Sequence, residues 1–494
     1  MRAVFDSAIK IADDIRSGVY SSREIVQAYI SRIEGVGAEL NAVVARRFEQ
    51  ALAEADDLDR ARAAGRSIGP LHGVPMTVKE SFDVAGLPST FGHPERATHR
   101  ARSDSVAVSR LVAAGAVILG KTNVPKDLAD WQTFNGVYGK TVNPWDPGRS
   151  PGGSSGGAAA ALAAGLSALE LGSDIAGSIR VPAVYCGVWG HKPTFGVVPM
   201  RGHGINEQAA PSDILVGGPL ARTAADLELA FDLISGADEP GGSAWHLTLP
   251  CETRTRAREF RFAIVTDDCE FPVDHSIRGG LERLAACLKA EGAVVDLEPE
   301  LPVKSRQGYE LFLSLLRAAT SARFNDMQFV EVAAKARTFE APDRCYDALM
   351  HRGLTIVHRD WRKANDHREE LRHAWRKFFK RYDALICPTT TTPAFPHMIG
   401  VPKIEQFFDV DGTKRPASDN YYWIGIPSVC YLPATAVPLG ETTAGLPVGA
   451  QIIGPEFADK RCLRLARLLE ASFRSFRAPP TFAKFPDRLK AAHR

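Results

Sequence analysis

An α/β fold is predicted from three features of this 494-residue chain. A helix hands over to a strand where Asp104 caps an apolar run through Val108, Leu111 and Val112. That run ends near Gly115, before the short apolar strand Ala116-Val117-Ile118-Leu119. Further on, Arg261 to Val265, a helix capped by Asp274 or Ser276 that runs to about Ala290, and Ala293 to Leu297 form a strand–helix–strand unit, which implies a parallel part of the sheet. Between them, Ala158 to Leu166 is an uncharged run of helix formers, the pattern of a helix buried on all sides.

The other elements follow in order. Residues 7 to 65 read as helices: Ser21 or Ser22 can cap an amphipathic run through Ile25, Tyr29, Ile30 and Ile33, and Ala51 to Ala64 forms another. Gly73 to Lys79 alternates as a strand, with Val74, Met76 and Val78 on one side and Thr77 and Lys79 on the other. Residues 236 to 260, polar and rich in Gly, Pro and Arg, are a surface excursion, and 305 to 382 is largely helical. Strands resume at Ala384 to Cys387 and Leu446 to Gly454, and a helix from about Asp459 to Phe473 closes the fold. The chain thus divides into an N-terminal helical cap (1–65), a core (66–240), a variable α/β insertion with a helical part (241–380) and a C-terminal return to the core sheet (381–494), together one compact domain.

Composition narrows the function. With 45% hydrophobic residues and a formal net charge of +2, the chain can bury one large core or two to three smaller ones. No apolar run approaches the ~20 residues that span a bilayer, and the N-terminus lacks the apolar stretch of a secretory signal, so the expectation is a cytoplasmic protein without a membrane partner. The eight cysteines form no Cys-x-x-Cys pair, which suggests reduced thiols rather than a zinc cluster or a disulfide framework. None of the thirteen histidines has a metal spacing such as H-E-x-x-H, so no metal is expected, and His72, His191 and His203 read as structural or loop residues. The near-neutral balance leaves no footprint for nucleic acid. Arg352 to Arg381 is basic, but acidic residues interrupt it as on a solvated helix face.

The chemistry concentrates between Ser150-Pro151-Gly152-Gly153-Ser154-Ser155-Gly156-Gly157 and Gly172-Ser173-Asp174-Ile175-Ala176-Gly177-Ser178-Ile179-Arg180. Serines among glycines are accessible and have bare amide N–H groups as neighbours, the ingredients of acyl transfer. A flexible linker would have the same composition, but a linker would not lead directly into a buried helix. The loop instead sits at a helix N-terminus, where unpaired N–H groups favour negative charge. Two familiar patterns fail on context. Gly115 to Thr122 matches the phosphate-loop G-x-x-x-x-G-K-T, yet its middle residues are themselves a strand and Pro125 soon follows. Gly152 to Gly156 matches the G-x-S-x-G nucleophile elbow with Ser154 at its centre, yet Pro144, Pro147 and Pro151 make the preceding segment a loop rather than the buried strand that an elbow requires.

Four blocks resemble the amidase signature family of amide hydrolases: GVPMTVKESFDVAG from Gly73 to Gly86, Gly120 to Asn123 with Asn143 to Gly157, LGSDIAGSIRVPAVYCGVWGHKPT from Leu171 to Thr194, and GPLARTAADLELAFD from Gly218 to Asp232. Gly445 to Gly454 resembles the family's closing strand. The resemblance implies a large central mixed sheet covered by helices on both faces. It also implies a Ser-Ser-Lys triad: Ser178 as nucleophile, Ser154 as a bridging serine preceded by a cis peptide bond, and Lys79 as base. Lysine can be that base only when burial disfavours its ammonium by several pKa units. The implied oxyanion hole is the amides of Ile175, Ala176, Gly177 and Ser178, with Ser155 and Arg180 in support. Ala176 departs from the family's commoner glycine, so either that position needs no positive φ or the loop is altered. For Arg180 a structural salt bridge is the competing role.

The resemblance implies hydrolysis of a carboxylic amide to acid and amine or ammonia through an acyl-enzyme, on a small-molecule substrate and without a cofactor. Family members are often homodimers. The alternatives are the glutamine-hydrolysing subunit of a tRNA-dependent amidotransferase and a non-catalytic binder on the same scaffold. Pro211 to Gly217 lacks the Ser-Leu-Asp-Gln type associated with the former, and all three triad residues oppose the latter. An acyl pocket is expected near Lys126 to Gly136, the 305–380 insertion and Tyr421, Tyr422 and Trp423.

Overall fold

The computed structural model describes residues 2–66, 69–205 and 210–483. Eleven strands join in one mixed sheet: β1 (Val43–Arg46), β2 (Pro75–Lys79), β3 (Val117–Thr122), β4 (Leu169–Asp174), β5 (Trp189–Lys192), β6 (Val216–Ala221), β7 (Arg261–Ile264), β8 (Val294–Asp296), β9 (Ala384–Pro388), β10 (Ala434–Glu441) and β11 (Pro447–Ile453). Their spatial order is β1-β3-β2-β4-β6-β5-β10-β11-β9-β7-β8. Parallel pairing joins β3 to β2 and β2 to β4 on one side, and β9 to β7 and β7 to β8 on the other; antiparallel strands occupy the middle. Every residue of β2, β3 and β4 is buried. Successive side chains of a strand point to opposite faces, so the sheet is covered on both.

The strand–helix–strand unit forms as the sequence predicts, with Asp274 rather than Ser276 as the cap: its side chain accepts from the Ser276 amide ahead of the helix His275–Ala290. Ser21 caps the helix Ser22–Leu40 in a reciprocal box with Glu24, satisfying two of the free amides at that end. Two readings need correction. Ser105, not Asp104, caps the helix Val106–Ala113; the Asp104 carboxylate instead accepts from the Ala85 amide at 2.8 Å. The first 65 residues are not only helical, because β1 pairs with β3 and forms an edge of the sheet.

The glycine-rich loop does enter a buried helix. All eight residues of Gly156–Ala163 are buried, and this helix lies against β2, β3, β4 and β6. The phosphate-loop look-alike is β3: Lys121 lies within it, fully buried, and donates to Ser89 Oγ at 2.8 Å and to the Pro88 carbonyl. Among the described residues no helix is long and apolar enough to cross a membrane.

Candidate active site

Parallel pairing sets up the site. Because β2 and β4 run side by side with Thr77 opposite Glu170 and Val78 opposite Leu171, both strands end at the same edge of the sheet. Lys79 and the pair Ser173-Asp174 are delivered together there, and carboxyl ends of parallel strands are where open α/β sheets bind ligands.

Lys79 is fully buried. Its Nζ lies 2.6 Å from Ser154 Oγ and 3.0 Å from Ser173 Oγ, and it donates to the Ser173 carbonyl at 3.3 Å. Burial pushes the ammonium down to a pKa of about 7, although Asp174 opposes the shift. An uncharged amine is therefore well populated at neutral pH. The Gly153–Ser154 peptide is cis, as the resemblance implies. The backbone runs tightly there: a Cβ on Gly153 would overlap the Asp130 carbonyl oxygen.

Ser178 is 5% exposed and lines a cavity of about 350 Å³. Its carbonyl accepts from the Ser155 amide at 3.1 Å. Lys79 and Ser154 are hydrogen-bonded to each other; Ser154 and Ser178 are not.

The loop from Ile175 to Ser178 is held by the Asp174 carboxylate. Oδ1 accepts from the Gly177 amide at 2.8 Å, and Oδ2 from the Ile179 amide at 3.1 Å. The Gly177 N–H is thus already committed, whereas the amides of Ile175, Ala176 and Ser178 donate to no protein acceptor among the described residues. Ala176 keeps a φ open to any L-residue. The left-handed turn falls on Gly177 at φ 85°, where a Cβ would press on Val181 and Ile424. An alanine at 176 therefore brings no left-handed strain to the loop. Trp131 Nε1 donates to the Ala176 carbonyl at 3.0 Å and fixes the loop's other side.

Arg180 is fully buried, and its guanidinium is taken up by protein partners. Its Nε and Nη2 grip Asp174, each at 3.0 Å, while Nη1 reaches Gln451 Oε1 at 2.8 Å and the Ile424 carbonyl at 3.1 Å. Burial alone would raise the Asp174 pKa, but Arg180 holds it down to about 2. Ser155 Oγ donates to the Ser173 carbonyl at 3.4 Å.

Three residues of the site escape sequence reasoning. Ser173 and Asp174 stand in the quoted motif, but a strand buried on both faces shows no alternation to mark its polar end. His203 reads from the sequence as structural. Its Nε2 lies 3.0 Å from both Ser173 Oγ and Ser81 Oγ, and burial with the nearby Lys79 pushes its pKa down to about 3, so the ring is neutral. Of the residues expected around an acyl pocket, some line the cavity and some do not. Trp131, Leu316 and Tyr421 line the cavity, but Tyr422 stacks on Phe271 and Trp423 donates to the Phe271 carbonyl at 3.0 Å, both away from it.

A buried amine against one serine, with a second serine beside unpaired amides at a cavity, is an arrangement for serine-based acyl transfer. The family model for amidases matches residues 24–463, and the chain belongs to that family of hydrolases acting on amide C–N bonds. It is 34% identical to an acylamidase of Rhodococcus erythropolis over 94% of this chain and 95% of that protein. It is 31% identical to a glutamyl-tRNA(Gln) amidotransferase component of a Synechococcus strain, over 96% and 97% of the two chains. The solved structure of a bacterial aryl acylamidase of the amidase signature enzymes superposes with a TM-score of 0.81 at 25% identity, covering 98% of this chain and 99% of that one.

Proposed function

We propose that the protein cleaves a small carboxylic amide through an acyl-enzyme on Ser178, with Ser154 as relay and Lys79 as base. The observation that carries this reading is the fully buried Lys79 amine, at a pKa of about 7 and 2.6 Å from Ser154 Oγ. Neutral Lys79 takes the Ser154 proton as Ser154 takes that of Ser178, and Ser178 Oγ bonds to the amide carbon. The negative oxygen is met by the amides of Ile175, Ala176 and Ser178, with the Gly177 amide spent on shaping the loop. Return of the proton through Ser154 to the amide nitrogen lets the C–N bond break. Water, deprotonated along the same path, then releases the acid and restores Ser178. Oxyanion donors are worth about 3–4 kcal/mol each in such steps, so the loop's shape matters as much as the triad.

Replacing Ser178 with Ala tests this. Amine release is expected to fall by about 10⁴-fold or more while circular dichroism stays native; an undiminished rate overturns the assignment. Because the Synechococcus amidotransferase component matches nearly the whole chain, glutamine hydrolysis for a partner enzyme is the second reading. A strict preference for glutamine and a stable partner on copurification would select it.

A further inference from the structure

The cavity that holds Ser178 is also lined by Arg317, Arg323 and Lys403, all remote from it in sequence. Arg317 lies in the helix Ser305–Thr320 and is only 5% exposed. Its Nη2 donates to Tyr346 Oη at 2.6 Å and Tyr421 Oη at 3.1 Å, and its Nε is buried without a partner. Among the described residues no carboxylate forms an ion pair with any of the three cations. The two aspartates that line the cavity are engaged: Asp127 with His93 Nε2 at 2.7 Å and Asp130 with the Gln132 amide at 3.1 Å.

Buried cations are normally paired, because the loss of hydration has to be offset by an anion. Arg317 is buried without one, whereas Arg323 is exposed and Lys403 is half-buried and donates to the Ala129 carbonyl. Burial and the neighbouring Arg317 lower the Arg323 pKa, and Asp127 and Tyr421 partly offset them. Burial alone would push the Tyr421 hydroxyl up, yet Arg317 and Lys403 carry it below its ordinary value. The cavity that Ser178 lines therefore carries three cations against two carboxylates, with the Arg317 Nε donor left over.

We propose that this part of the cavity is a subsite for an anionic group on the substrate: the amide cleaved at Ser178 bears a carboxylate, read by Arg317 with Arg323 and Lys403 beside it. A guanidinium suits a carboxylate because its planar fork can give two parallel hydrogen bonds. This rests on the amidase reading above.

The test compares ammonia release from the mono-amides of linear dicarboxylic acids, malonic to suberic, with release from alkanamides of equal length that end in methyl. At least one carboxylated amide is expected to show a kcat/KM at least ~10-fold above its neutral counterpart. Arg317→Met should bring that ratio to near one, and Arg317→Lys should keep part of it. A wild-type ratio at or below one for every length overturns the proposal, as does a ratio that survives in a folded Arg317→Met. If Arg317→Met does not fold, an Arg317→Lys ratio equal to wild type overturns it. Calorimetric titration of Ser178→Ala with the same amide pairs separates the two levels of inference. Preferential binding of the carboxylated member supports the subsite even if wild type hydrolyses neither series, an outcome that counts against cleavage of these amides and not against the subsite; equal binding overturns the subsite.

Discussion

Two lysines of this protein, Lys79 at the end of β2 and Lys192 at the end of β5, are buried and brought to a pKa of about 7. Their partners differ. Lys79 lies against the hydroxyls of Ser154 and Ser173, groups that can give up a proton. Lys192 donates to two backbone carbonyls, of Pro193 at 2.9 Å and Leu432 at 2.8 Å, which can only accept. A depressed pKa is thus not by itself the mark of a general base. It makes the amine available, and the neighbouring atom decides whether there is anything for that amine to do.

Removing each amine is the strongest way to separate the pair. Lys79→Ala should lower kcat/KM by about 10³–10⁴-fold. In the native enzyme kcat/KM should rise with pH and level off above about 7, since the amine is competent only after losing its proton. That limb should vanish in Lys79→Ala and survive in any Lys192 variant; the reverse outcome would exchange their roles. Lys192→Met should cost about 1–3 kcal/mol in urea unfolding, because two buried carbonyls lose their donor, while kcat/KM of the folded protein stays within about threefold of native. The smallest effect concerns His203. Replacing it with Ala opens space beside Ser173, admits water and eases the desolvation of Lys79, so the inflection should move above 7 with most of the high-pH rate retained. An unmoved inflection would mean that His203 only fills space.

The contrast between the two lysines also marks how far the sequence can be read. Lys79, Ser154 and Ser178 are legible because their blocks resemble a known family, and the buried helix after the glycines is legible from composition alone. Ser173 and His203 are not, since hydroxyl and imidazole groups meet across 30 residues of chain and nothing local signals a shared partner. Strands β4, β5, β6 and β10 are likewise hidden. They lie in the middle of the sheet, where burial on both faces erases the alternation that betrays a half-exposed strand. Arg317 is hidden for the opposite reason: it sits in an amphipathic helix whose other arginine, Arg306, is exposed, and only its tertiary setting shows that it has no counter-charge.

Asp174 and Arg180 are six residues apart, yet their clasp is completed by Ser428 and Gln451, both from the last part of the chain. A nascent polypeptide that has not yet extended past β11 lacks the Gln451 partner of Arg180, although Lys79, Ser154 and Ser178 have long since been synthesised. The full set of contacts on Arg180 therefore forms only after the last part of the chain has been made, well after the reacting groups themselves.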